Sequence, residues 1–202
     1  MKPTNLVFDI GNVLIRWDSE IPYRRLIPDP VERRHFLTEI LSPAWNLEQD
    51  RGRPWSVAEA ERIAVHPDKA ELIRAFRRHW HEMVPGPIEA NVGVLETALA
   101  RGIPCYAITN FAADTFAEAK ARFPFLGRFA GTIVSAELGV LKPDPAIYNA
   151  FLKTHGLAAE SCLFMDDSAK NVAGAAALGF GTIHVTEGID LAAEIRRFGL
   201  DL

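Results

Sequence analysis

Five short apolar runs punctuate the chain, near residues 4–8, 103–108, 131–135, 161–165 and 181–185, each bounded by glycine, proline or polar residues. Runs of that length, apolar at consecutive positions, fit strands buried on both faces of a parallel sheet. Helical spacing appears between them. Ile88, Val92, Leu95 and Leu99 recur at helical intervals over 88–101, and Ile147, Phe151 and Leu152 do so over 145–155, where Asp144-Pro145 supplies an N-cap and a first-turn proline. Residues 168–178 open on Ser168, carry Val172 and Ala175 to Ala177, and stop at Leu178-Gly179, as a capped helix with a glycine terminus does. This alternation predicts an α/β fold with a Rossmann-like, three-layer parallel sheet core.

Residues 16–87 break the rhythm. They carry aromatics and many arginines but no β-branched run, and helical patterns dominate at about 31–41, 56–65 and 68–83. A crossover between parallel strands needs little more than a dozen residues, so this stretch is expected to be an inserted helical cap, 16–87, on a core built from 1–15 and 88–202.

Composition narrows the partners. With 202 residues and 49% hydrophobic content the chain has room for one substantial core and a small accessory domain. A net charge of −4 and the lack of a long basic run argue against nucleic acid or an anionic membrane and make a small-molecule substrate the default. No stretch of about 20 apolar residues occurs, and Cys105 and Cys162 match no metal or redox spacing. A cytoplasmic protein with two buried thiols, monomer or homodimer, is expected.

The candidate chemistry sits where the apolar runs end. Asp9 follows Leu6-Val7-Phe8 and precedes Gly11-Asn12-Val13-Leu14, and in an open parallel sheet ligands bind outside the carboxyl ends of the strands. Ile108-Thr109-Asn110 and Met165-Asp166-Asp167 end later runs, and Lys142-Pro143-Asp144 lies after the run at 131–135, within Gly139-Val140-Leu141-Lys142-Pro143-Asp144. Two adjacent carboxylates near an anion site call for a cation, and hard carboxylate oxygens suit Mg²⁺.

Taken in order, Phe8-Asp9-Ile10-Gly11-Asn12-Val13, Ile108-Thr109-Asn110, Lys142-Pro143-Asp144 and Asp166-Asp167-Ser168-Ala169-Lys170-Asn171 resemble the four motifs of the haloacid dehalogenase superfamily, with a small helical cap between the first two. The resemblance implies that Asp9 is a nucleophile forming a covalent aspartyl intermediate. It implies that Thr109 and Asn110 hold a substrate oxygen, and that Lys142 pairs with the nucleophile and the transferred anion. Asp167 is then the main Mg²⁺ ligand, sharing the ion with Asp9, Asp166 and the Gly11 carbonyl. Asn171 stands where many members carry a further acid and would act through water. Asn12 and Phe111 are candidate substrate contacts, although Phe111 fits packing equally well.

One departure matters. Most phosphatases of the superfamily have a second aspartate two residues after the nucleophile, where this chain has Gly11. Loss of a general acid or base costs about 10² to 10⁴ in rate. Dehalogenases also lack that acid, so a metal-independent 2-haloacid dehalogenase is the alternative reading. The acidic pair favours a phosphatase instead, and motif one resembles the glucose-1-phosphate phosphatase-like subgroup, which implies a small sugar phosphate or similar phosphomonoester. A regulatory phospho-aspartate protein is a third reading, although in receiver domains the acidic pair precedes the phosphorylated aspartate.

In the cap, Trp45-Asn46-Leu47-Glu48-Gln49-Asp50-Arg51-Gly52 is the candidate specificity segment. Trp45, Glu48, Asp50 and Arg51 are expected to face substrate, with Glu48 or Asp50 replacing the missing acid. Arg24, Arg25, Arg33, Arg34, Arg77 and Arg78 are expected on exposed helix faces.

Overall fold

The computed structural model describes residues 2–202. Strands β1 (Asn5–Phe8), β2 (Cys105–Thr109), β3 (Gly131–Val134), β4 (Cys162–Asp166) and β5 (Gly181–His184) form one parallel sheet in the order β3-β2-β1-β4-β5. The chain belongs to the α/β class. β1 is central, pairing Phe8 with Ala107 on one side and with Met165 on the other, so the ends of β1, β2 and β4 lie side by side.

Side chains alternate across the strands, and each face receives helices. Leu6 and Phe8 pack with Leu95 of helix Glu89–Ala100 and with Leu191 and Ile195 of helix Leu191–Arg197. Val7 and Phe164 pack on the other face with Ile147, Tyr148 and Phe151 of helix Pro145–His155 and with Ala175 of helix Ala169–Ala176. The two cysteines are free and buried.

The insertion after β1 is helical. Helices Glu20–Leu26, Pro30–His35, Pro43–Asp50, Trp55–Val65, Ala70–Arg78 and Trp80–Met83 surround a separate cluster of Tyr23, Phe36, Trp45, Ile73 and Phe76. The chain leaves and re-enters the core through one neck, where Ile15 bridges Pro87 and the Arg16 amide donates to the Gly86 carbonyl at 2.9 Å. Arg122 of the core donates to the carbonyls of His81 and Val84 across that neck.

Several helix bounds differ from the pattern for local reasons. The expected helix 31–41 begins at Pro30, capped by Asp29, and widens into a π turn over Phe36–Ile40 that buries Phe36, Leu37 and Ile40 together. The expected helix 68–83 breaks at His79, so that Trp80 turns into a buried position while Arg78 stays exposed. Helix Ala113–Arg122 is alanine-rich, with few large apolar residues, and its sequence carries little periodicity. Among the described residues no helix is long and apolar enough to cross a membrane.

Candidate active site

Asp9, Asp166 and Asp167 converge at the carboxyl ends of β1 and β4, with one carboxylate oxygen from each within 4.8 Å of the others. Lys142 Nζ reaches into this group. It lies 2.8 Å from Asp9 and 2.7 Å from Asp166, and donates to the Ile108 carbonyl at 2.8 Å, so each of its three protons has a partner. Its side chain is fully buried.

Asp166 is saturated as well. Besides Lys142 it accepts from the Ser168 amide at 2.8 Å and from Asn171 Nδ2 at 3.0 and 3.1 Å. Asn171 therefore acts directly on Asp166 rather than through water. Asp9 accepts from the Ile10 amide at 2.7 Å, and Asp167 is exposed at the rim of the same cavity. Open carboxylate oxygens thus belong to Asp9 and Asp167.

Electrostatics follow from this crowding. Burial pushes the Asp9 carboxyl up to about 7, against the pull of Lys142 and with Asp166 adding to the push. Burial alone would lower Lys142, but Asp9 and Asp166 carry it above its ordinary value. Asp167 is raised by burial and by Asp166, opposed by a hydrogen bond from Asn12. Three carboxylates against one ammonium leave a formal charge of −2 that a divalent cation would balance. The donor set, hard oxygens only, suits Mg²⁺.

The second motif divides its work. Thr109 is 1% exposed, and its hydroxyl has no hydrogen-bond partner. Asn110 does something the sequence did not suggest: its amide donates to the Lys142 carbonyl at 3.1 Å and accepts the Lys142 amide at 2.8 Å, fixing the loop that carries the lysine. Asn12 adopts a left-handed backbone at φ 52° and accepts the Trp17 amide at 3.0 Å, turning the β1 loop back on itself.

Above these groups lies a cavity of about 500 Å³ roofed by the cap. Asp9, Gly11, Asn12, Asn110, Lys142, Asp167 and Asn171 line its floor. Its cap side is apolar: Leu37, Leu41, Leu47, Trp55, Phe76 and Trp80 contribute, with Trp17 beside them. Phe111 both lines the cavity and packs, edge-on to Trp80 at 5.8 Å between centroids.

The expected cap segment is only partly brought to the cavity. Asp50 lines it, as do Asn46 and Leu47 of the same segment. Trp45 instead belongs to the cap's own core, packed against Trp55 and Phe76. Glu48 and Arg51 pair with each other at 3.5 Å outside the cavity lining. Trp55 and Trp80, which the sequence did not mark, line the cavity, and the buried Ser135 hydroxyl accepts the Phe111 amide behind it; of the three only Ser135 carried a signal, a hydroxyl closing an apolar run just as Asp9 does.

Two arginines depart from the exposed-face expectation. Arg33 is half-buried and donates to the Ile27 carbonyl. Arg77 joins the cap to the core, pairing with Asp114 at 3.0 Å and with Glu118, while the Trp55 indole donates to the same Asp114 at 3.2 Å.

A parallel sheet whose strand ends gather an acidic trio around a buried lysine is the architecture of haloacid dehalogenase-like hydrolases. Residues 4–179 match that family, and the chain belongs to it. It is therefore an enzyme, a hydrolase acting on small molecules. The chain is 25% identical over 192 residues to the sesquiterpene phosphatase AstK of Aspergillus oryzae, covering 95% of this chain and 94% of that protein. Among solved structures, the HAD family enzyme bt-2542 of Bacteroides thetaiotaomicron, in complex with magnesium and inorganic phosphate, superposes with a TM-score of 0.73 at 22% identity, over 95% of this chain and 98% of that one. The L-2-haloacid dehalogenase of Xanthobacter autotrophicus, with chloropropionic acid covalently bound, superposes at 0.67 with 18% identity, over 96% and 83%. The phosphatase-named relatives make phosphate ester cleavage the better supported activity.

Proposed function

We propose that this hydrolase is a Mg²⁺-dependent phosphomonoesterase working through a covalent aspartyl phosphate on Asp9, with a substrate whose leaving alcohol is apolar. The observation that carries the reading is the acidic trio around a buried lysine at the floor of a cavity with an aromatic roof. Asp9 and Asp167, with the Gly11 carbonyl, would hold the ion, and Asp166 keeps Lys142 aimed. Bound Mg²⁺ supplies charge neutralisation for the phosphate.

The remaining chemistry belongs to the chain. Asp9 attacks phosphorus, and Lys142 holds the attacking carboxylate and faces the phosphoryl oxygens as they gain charge. The unpartnered Thr109 hydroxyl is free to donate to a non-bridging oxygen. A small sugar phosphate would bring several hydroxyls to a cap wall that offers Ser19, Asn46 and Asp50 as side-chain polar partners, and unpaired polar groups are costly to bury. An apolar alcohol meets the rest of that wall without such a penalty, and the full-length likeness to a sesquiterpene phosphatase supports the same direction.

The test is product release by the purified chain from prenyl and long-chain alkyl monophosphates, sugar phosphates and 2-haloacids, with Mg²⁺ or EDTA, beside Asp9→Asn. Phosphate release from the apolar esters, dependent on Mg²⁺ and absent in the variant, is expected. An active Asp9→Asn enzyme defeats the mechanism. Halide release unaffected by EDTA would make the chain a dehalogenase.

A further inference from the structure

In-line displacement places the leaving oxygen opposite the attacking Asp9, towards the cap. Gly11, on the β1 loop, has no side chain to meet it. Asp50 closes helix Pro43–Asp50 and faces the cavity it shares with Asp9 and Lys142. We propose that Asp50 gives its proton to the leaving oxygen and then accepts one from the attacking water, an assignment that rests on the phosphatase reading above.

The surroundings of Asp50 suit a proton carrier. Among the described residues no lysine, arginine or histidine pairs with it; its partners are Asn46 Nδ2 at 3.3 Å and the Ala112 amide. Burial without a cation favours the neutral acid and pushes its pKa up to about 7. Glu48, the other acid of this helix end, is turned to Arg51 instead.

The position of Asp50 is set by the core. Ser135, at the end of β3 and fully buried, donates its hydroxyl to the Asp50 carbonyl and accepts the Phe111 amide at 2.9 Å. Gly52, at φ 108°, passes so close that a Cβ there would lie 3.0 Å from the Ala136 carbonyl oxygen. The end of this cap helix is thus clamped to the loops after β2 and β3.

The steps balance. As Asp9 forms its bond to phosphorus, the ester P–O bond breaks and the Asp50 proton passes to the alkoxide, leaving alcohol, aspartyl phosphate and ionised Asp50. Water then attacks phosphorus, its proton returns to Asp50, and hydrogen phosphate leaves with the Asp9 carboxylate restored.

Wild type, Asp50→Asn and Asp50→Glu are compared with Mg²⁺ on n-hexyl phosphate and on p-nitrophenyl phosphate, whose phenolate leaves without a proton. Asp50→Asn is expected to lower hexyl phosphate turnover about 10² to 10⁴-fold while keeping the first-turnover burst of nitrophenolate within about tenfold, followed by accumulation of aspartyl phosphate. Asp50→Glu is expected to recover part of the loss. Equal losses in the two first turnovers would mean a binding or structural role and overturn the assignment, as would unchanged hexyl phosphate turnover. A wild type that releases phosphate from neither ester fails at the phosphatase reading itself.

Discussion

The floor and the roof of the cavity are built on different principles. On the floor Asp9 leaves the end of β1, Thr109 that of β2 and Asp166 that of β4, all adjacent strands, whereas Lys142 comes from a loop, between helices Ser135–Leu138 and Pro145–His155. On the roof, Trp55, Phe76 and Trp80 come from separate helices of an insertion with its own core. A parallel sheet fixes the floor by hydrogen-bond register, to which few side chains are essential. The roof depends on which faces of short helices happen to be buried. On the proposed function the floor carries the reaction, and the roof selects what is brought to it.

That contrast breaks hardest at Lys142. Lys142→Met leaves Asp9 and Asp166 buried with no cation, so kcat is expected to fall at least about 10³-fold and the fold to lose about 3 to 5 kcal/mol at neutral pH. Urea titrations should show that loss shrinking as pH falls, because a protonated carboxyl has no need of the ammonium. Unchanged stability at neutral pH would mean that the ion pairs of Lys142 do not hold the fold together.

Removing a piece of the roof should act on selection instead. Trp80→Ala, at a residue 4% exposed, is expected to lower kcat/KM for a long-chain alkyl phosphate about 10 to 100-fold, mostly through KM, while p-nitrophenyl phosphate changes less than about threefold. Equal losses on both substrates would show that the roof also shapes the chemistry. The smallest effect is expected at the contact between the halves. Asp114→Ala removes a partner from both Arg77 and the Trp55 indole, yet Asp114 is itself exposed and Arg77 keeps Glu118, so stability should change by about 1 kcal/mol or less. The sharper readout is proteolysis of the cap, which should quicken as Trp55 is freed.

The same division explains what the sequence disclosed. Consecutive apolar runs located all five strands, and an acid or a hydroxyl at the end of a run marked most of the floor, because burial on both faces leaves no other reason for such residues there, whereas Lys142, in a loop, was legible only as part of its motif. Helix-length patterns showed that the cap is helical but not which faces turn inward. Trp45 and Trp55 are both aromatic, ten residues apart, and only packing decides that one fills the cap core while the other lines the cavity. Asn110 was legible as a motif residue, but its pair of hydrogen bonds to the Lys142 backbone needed the β2 and β3 loops in place.

Gly11 carries a last consequence. Its backbone does not have a positive φ, and a Cβ added there would meet nothing within 4 Å, so a side chain can start there without backbone strain or a clash at its first carbon. A glycine codon ending in a pyrimidine becomes an aspartate codon by one base transition. On the role proposed for Asp50, a lineage could pass its proton carrier between the loop and the cap through a variant that holds an acid at both places.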